Sequence, residues 1–445
     1  MKLYLILFAL VLTGSALQSQ PTQSPAELRG KAETLAKDGN WKEALEVSRV
    51  ILETVDDGES GKDLMTSLRY LRELRQIADA DELIESAVSR HAENWALLRE
   101  AAKSYQQLQH SGFLLDGEFR RGYNRGGGTY VGCMGRDRVR STQLVLQALD
   151  HVDKNDRGAI SNLYSELAGY LAMGRTGPQR VWALGVLTPL AELPDYGDEE
   201  RLSSGAGAPV DADGNPLVLE VPESWESAEN DGERWRWAIN ESIKFDPEKE
   251  PQAMEQWARF LVQHYGVGTL ASFGRWMQQD PEEAEGILQV HTLKESETIA
   301  KLASGVRRFE LVPDYQFIPL LRRLSTGKNS NASLGDQLVR VFLNRRQYGV
   351  GAQELRRLIA THGRGKSNHR QKLLDQIEGE WGRFEHAPMT QAGKKPKLSF
   401  VYRNAKEVKL SLHALDIDLV VDDIFKHLEG NPREIDGSKL NVARI

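Results

Sequence analysis

The stretch Gly39–Leu52, GNWKEALEVSRVIL, sets Trp41, Ala44, Ser48 and Ile51 on one face of a helix. Further on, Ala78–Trp95, ADADELIESAVSRHAENW, carries Ala80, Ile84 and Ala87 in the same phase. Ala44 to Ala80, Ser48 to Ile84 and Ile51 to Ala87 are each 36 residues apart. Small and large residues at a fixed offset let one helix lie closely on the next. The spacing predicts stacked helix pairs, which bury their stripes against neighbours and leave long surfaces for partners.

The 34-residue tetratricopeptide repeat has this small–large–small pattern. Trp95 and Leu98 stand where a following copy would carry its Trp and Leu. Helical spacing then runs almost everywhere to residue 385. In Ala253–Tyr265, AMEQWARFLVQHY, one face holds Met254, Trp257, Leu261, Val262 and Tyr265. Pro247, Pro251 and Gly266 supply its start and stop signals. In Gly351–Gly363, GAQELRRLIATHG, the stripe is Leu355, Leu358 and Ile359, with a glycine expected to bracket each end. Residues 21–385 thus read as a helical repeat-like region. It is broken near 195–232 by a Gly-, Pro-, Asp- and Ser-rich insertion. There, Asp213-Gly214 reads as a turn leading into a short strand.

Residues 386–395 read as a polar linker. Past Pro396 the period changes to 2. Leu398, Phe400 and Tyr402 alternate with Ser399, Val401 and Arg403, and Val408, Leu410 and Leu412 alternate with Lys409, Ser411 and His413. With Arg403–Glu407 as the turn, this predicts a β-hairpin with one buried face. Leu419–Asp436 returns to helical spacing, and Lys439–Ile445 reads as the start of another strand. One hairpin does not enclose a core, so residues 396–445 are expected to be a truncated β-domain. The expected fold class is mainly α, helix pairs followed by a partial β-domain.

The first residues, MKLYLILFALVLTGSALQSQPTQSP, combine Lys2, an apolar run from Leu3 to Leu12, and the small residues Gly14 and Ala16. This is the anatomy of a secretory signal, placed at residues 1–16. The run is about half the ~20 residues a membrane span needs. An exported product, periplasmic or extracellular, is expected. Of 445 residues, 40% are hydrophobic and 27% charged, an ordinary globular composition. The net charge of −7 argues against a nucleic-acid partner. With a single cysteine, Cys133, no internal disulfide is available and stability must come from the core.

That cysteine lies in Arg120–Arg140, RRGYNRGGGTYVGCMGRDRVR, with six glycines and six arginines. Gly127 to Gly132 has the glycine spacing of a phosphate loop, but Cys133-Met134 replaces its Lys-Ser/Thr, and upstream reads as helical rather than strand. No histidine is close in sequence to activate the thiol. The reading preferred is an ordered turn with Cys133 semi-buried, its arginines pairing with Asp116, Glu118 and Asp137, before a helix with Val145, Leu149 and Val152 inward. His362 and His369, seven apart across a Gly-rich turn, do not make a metal motif, and Asp211–Gly214 is half of a calcium loop without its closing ligands. A serine-hydrolase elbow is absent. Asp422-Asp423 and Glu282-Glu283 are ordinary solvated pairs, and nine tryptophans at helical spacing read as core. No catalytic, cofactor-binding or metal residue is assigned, and no enzyme activity is expected.

Pro396, Leu398, Tyr402, Arg403 and Asn404 match a Pro-x-Leu-x-x-x-Tyr-Arg-Asn pattern. This resembles the opening hairpin of the first macroglobulin-like domain in bacterial alpha-2-macroglobulin-family proteins. GEFRRGYNRGGG from Gly117, GRDRVRSTQLVLQAL from Gly135 and GAPVDADGNPLVLEVPESWESAENDGERWRWAI from Gly207 resemble the long helical N-terminal region of a very large subgroup of that family. The resemblance implies an incomplete macroglobulin-like sandwich at residues 396–445. It also implies a scaffold or docking role in an exported protease-trapping, endopeptidase-inhibiting system. The partners implied are proteins, proteases or the remaining macroglobulin domains. No nucleic acid or small-molecule substrate is implied. Family members often join a cysteine to a glutamine in a Cys-Gly-Glu-Gln thioester. Here Cys133 is followed by Met134-Gly135-Arg136, so no thioester is placed. The alternative expectation is a stand-alone periplasmic tetratricopeptide-like interaction module.

Overall fold

The computed structural model describes residues 23–197, 207–273, 289–327, 330–385, 393–395, 397–411 and 416–430. The expected signal segment, Leu412 of the expected hairpin and the expected strand at Lys439–Ile445 lie outside them. The described residues are mainly helical with small antiparallel sheets. None of their helices is long and apolar enough to cross a membrane. Two units divide the chain, Met1–Glu354 and Leu355–Ile445.

The first unit opens with α1 (Pro25–Lys37). Ser24 and Glu27 close its N-terminus reciprocally: Glu27 N–H donates to Ser24 Oγ at 3.3 Å, and Ser24 N–H to Glu27 Oε2 at 2.8 Å. Next come α2 (Trp41–Thr54), α3 (Ser60–Glu73), α4 (Ala80–Arg90) and α5 (Trp95–Gln107). Helix α2 packs on α3 and α4 on α5, and the two pairs stack through α2–α4 and α3–α5. The 36-residue offset is visible as burial. Ala44, Ser48 and Ile51 on α2 and Ala80, Ile84 and Ala87 on α4 are all buried. Asn94 caps α5, its Oδ1 accepting from Leu97 N–H at 3.1 Å.

A three-stranded sheet follows: β1 (Ser111–Leu115), β2 (Glu118–Arg121) and β3 (Thr129–Gly132), in the order β2-β1-β3. Helical spacing had been expected here. The strands follow instead from Asp116-Gly117, whose φ angles of 51° and 88° make a tight hairpin turn between them. Then α6 (Met134–His151) and α7 (Arg157–Ala172) resume the stack, with Val145 and Val152 buried and Leu149 half-buried. The described part of the insertion is irregular. Asp211 Oδ1 accepts from Asp213 and Asn215 N–H at 3.0 and 2.8 Å, so the expected turn forms. The expected strand beyond it reduces to a single bridge between Val210 and Pro216. At the end of the insertion a buried carboxylate, Asp231, is held to the segment that follows α7, accepting from Arg175 and the Thr188 hydroxyl, and also from Arg234.

Helix α8 (Asp231–Phe245) packs on α7, and α9 (Glu250–Tyr265) follows. Of the face expected on α9, Trp257, Leu261 and Tyr265 are buried, and Met254 and Val262 half-buried. The tryptophans do serve the core: Trp235 stands 4.9 Å from Phe260, and Trp257 5.2 Å from Tyr315. A second departure from helical spacing is the hairpin of β4 (Glu297–Leu302) and β5 (Gly305–Glu310). It turns at Ala303-Ser304, with Leu302 opposite Gly305. The unit continues with α10 (Phe317–Leu324), α11 (Ala332–Asn344) and the first half of α12 (Tyr348–His362). Gly351 therefore lies inside a helix instead of bracketing it. A Cβ there would sit 3.2 Å from Leu343 Cδ2, so the glycine lets α12 pass close to α11.

In the second unit, α12 ends at His362, with Leu355 and Leu358 buried and Ile359 half-buried. Then come α13 (His369–Glu378), β6 (Trp381–Phe384), β7 (Phe400–Arg403) and α14 (Ile417–Glu429). The hairpin expected between Leu398–Tyr402 and Val408–Leu412 is not what β7 forms. Strand β7 pairs with β6, Trp381 opposite Arg403 and Phe384 opposite Phe400. Residues 407–411 are irregular and exposed. The cause is local. Asn404 leaves β7 at φ 61° and donates its side-chain amide to Ile377 and Gly379 carbonyls, at 3.1 and 3.2 Å. That ties the strand end to the C-terminus of α13, three residues before β6 begins. Gly382 completes the fit: a Cβ there would lie 2.5 Å from the Phe400 ring.

Candidate functional site

The Gly/Arg stretch and the helices around it enclose a cavity of about 310 Å³. Arg121, the last residue of β2, is buried at its floor. Its Nη1 donates to Gln109 O at 2.7 Å and to Asp137 Oδ2 at 2.8 Å. Its Nη2 donates to Asp137 Oδ1 and to Asp81 Oδ1, both at 2.7 Å, and its Nε to Asp81 Oδ2 at 3.0 Å. One guanidinium thus joins α4, β2, the end of α5 and α6. Burial by itself would lower its pKa, but the hydrogen bonds it donates to Asp137 and Asp81 outweigh that and leave it raised. Asp137 is the mirror case. Burial would raise its pKa, yet Arg121 and His110 hold it below the usual carboxylate range. His110 Nδ1 lies 2.7 Å from Asp137 Oδ2 and, beside an ionised carboxylate, is the donor.

Cys133 caps α6 and is buried. A helix N-terminus and a neighbouring arginine would lower a thiol's pKa. Burial dominates here, Arg121 offsets it only in part, and Asp137 adds to it, so the thiol is pushed up. At neutral pH Cys133 is a protonated side chain, 3.4 Å from Asp137 Oδ2. It is not a thiolate nucleophile. Of the pairings expected for the loop's arginines, Asp137 is found. Asp116 and Glu118 instead occupy the exposed hairpin turn and the start of β2. Arg121 pairs with Asp81 on α4, and Arg140 pairs with Glu85 at 2.6 Å.

The walls are aromatic. Tyr196 stacks on Phe119 at 4.4 Å, and the Arg136 guanidinium lies 4.1 Å above Tyr196 while donating to Pro194 O at 2.6 Å. Tyr105 donates its hydroxyl to Glu85 at 2.7 Å. Gly127 and Gly128, at φ 90° and 91°, return the chain from β2 to β3; at Gly128 a Cβ would meet Leu114 O at 2.7 Å. These glycines serve a turn. Three carboxylates and three guanidinium groups line the cavity, so their charges balance within the fold.

Elsewhere, His362 ends α12 and His369 begins α13, and His369 Nδ1 faces Lys366 O at 3.1 Å. Among the described residues no group of three His, Cys, Asp or Glu side chains is placed to hold a metal. Sequence reading did not find Asp81, Glu85 or His110, because their partners lie 40, 55 and 27 residues away. The one local signal was Asp116-Gly117 between apolar runs, which marks the hairpin that delivers Arg121.

No protein-family model matches the chain, and no curated protein matches it. Among solved structures it is similar to the Assembly Chaperone of RpL4 (Acl4), residues 1–338. Identity is 14%, over 80% of this chain and 95% of that one, with a TM-score of 0.27. A superposition that loose carries no weight for function.

Proposed function

We propose that the chain is the scaffold and docking portion of an exported protease-trapping system of the alpha-2-macroglobulin type. The observation behind this reading is the apolar surface of the second unit. Leu398, Tyr402, Leu410, Ile417 and Phe425 are each more than half exposed, and no residue of α14 is buried. A folded protein covers so much apolar surface with a partner. The Pro396–Asn404 resemblance makes macroglobulin-like domains the partner of choice.

The test is to isolate the native protein through a tag placed after residue 22 and map its complex by peptide mass spectrometry. The expected result is macroglobulin-type sequence in the same polypeptide or complex. An added protease should also remain active on small substrates but be shielded from large ones. The mature N-terminus should follow Ala16. A native complex without macroglobulin sequence overturns the reading. In that case the stacking of α2–α3 on α4–α5 favours a stand-alone tetratricopeptide-like interaction module.

A further inference from the structure

A second cavity, about 320 Å³, lies between α3 and α5. Its apolar floor includes Met65 and Leu68, its polar rim Thr66, Arg69, Arg72 and Gln107, and no Asp or Glu lines it. The side chains of Arg72, Thr66 and Gln107 have no hydrogen-bond or ion-pair partner among the described residues. Arg69 rests on the Tyr70 ring at 5.3 Å; its charge reaches Glu33, which Lys37 already holds at 2.9 Å. The corresponding groove between α2 and α4 differs. There Glu53 and Glu82 stand beside Arg49 and Arg90, so the charges cancel.

We propose that the α3–α5 groove binds an acidic peptide segment of a partner protein. Arginine without a carboxylate partner forms bidentate hydrogen bonds with Asp or Glu. The apolar floor takes an aliphatic side chain between two acidic ones. Both helices end at this groove, and each C-terminus carries about half a negative charge. Two full guanidinium charges exceed that, so the rim stays positive. The site is independent of the protease-trapping reading, since it lies on the first unit and needs no macroglobulin domain.

The test uses the full chain and a fluorescein-labelled, end-blocked hexapeptide, Glu-Leu-Asp-Glu-Leu-Glu, followed by anisotropy. Binding is expected in the micromolar range. Arg72→Ala should weaken it roughly tenfold, and Arg69→Ala with Arg72→Ala roughly a hundredfold, as charge-assisted contacts are lost. Alanine at these exposed helical positions keeps the fold, which circular dichroism verifies. Arg125→Ala, in the Gly/Arg loop, should change nothing. The proposal is overturned if the peptide does not bind at millimolar concentration, or if the double variant binds as well as the parent. It is equally overturned if Arg125→Ala abolishes binding, if Lys-Leu-Lys-Lys-Leu-Lys binds equally, or if a thymidine oligonucleotide competes more tightly than the peptide.

Discussion

Replacing Arg121 by Ala removes two of the four side-chain hydrogen bonds that hold buried Asp137, those at 2.7 and 2.8 Å, leaving His110 at 2.7 Å and the Cys133 thiol at 3.4 Å. It also frees Asp81, which is partly exposed and returns to water at little cost. The buried carboxylate, stripped of its guanidinium, decides the magnitude. Breaking a buried pair from one side costs about 3–5 kcal/mol, a large share of the roughly 5–15 kcal/mol that stabilises a typical domain. Removing both partners avoids the orphaned charge. Arg121→Ala with Asp137→Ala should therefore cost about 1–3 kcal/mol less than the sum of the single exchanges. Urea unfolding followed by circular dichroism, on the parent, both single variants and the double, gives the coupling directly. A single-variant cost below about 1 kcal/mol, or strict additivity, would refute the view that this guanidinium clamps the ribbon to the helices.

Three further outcomes follow from the same geometry. Cys133, buried and protonated, should resist a neutral disulfide reagent until the chain unfolds, and react readily in Arg121→Ala; equal rates in both proteins count against a sealed thiol. Burial pushes the His264 imidazole down to about 4 from 6.5, with the Thr176 backbone opposing it. The unfolded chain then binds more protons between those values, so stability present above pH 6.5 should be lost as pH falls toward 4, by up to about 3 kcal/mol. His264→Gln should flatten that slope; an unchanged profile refutes it. Asn404→Ala should destabilise the second unit by about 1 kcal/mol and speed amide exchange at Phe400 and Tyr402; unaltered exchange would show that β6 alone holds β7.

Helix pairing was legible in the sequence because it is written in local spacing. The residues 36 apart on α2 and α4 are buried together in the fold. The hairpins at Asp116-Gly117 and Ala303-Ser304 do not stand out in the spacing, because their strands are only four to six residues long. Short apolar runs fit either period. At the C-terminal end the alternation from Leu398 to Tyr402 correctly marked a strand, but alternation does not name the partner. Asn404, reaching back to the end of α13, settles it in favour of β6. Of the ion pairs around Arg121, the one with Asp137, 16 residues on, was legible in the charge pattern of the loop; the one with Asp81 was not, since it joins elements 40 residues apart.

The ribbon between β2 and β3 is where a protease would be expected to cut, at the exposed residues around Gly126–Gly128. Scission there should nonetheless leave the molecule in one piece. The upstream end stays moored through Arg121, the downstream end through the ladder between β1 and β3. A nicked chain would migrate as two fragments on a denaturing gel and as one particle in solution.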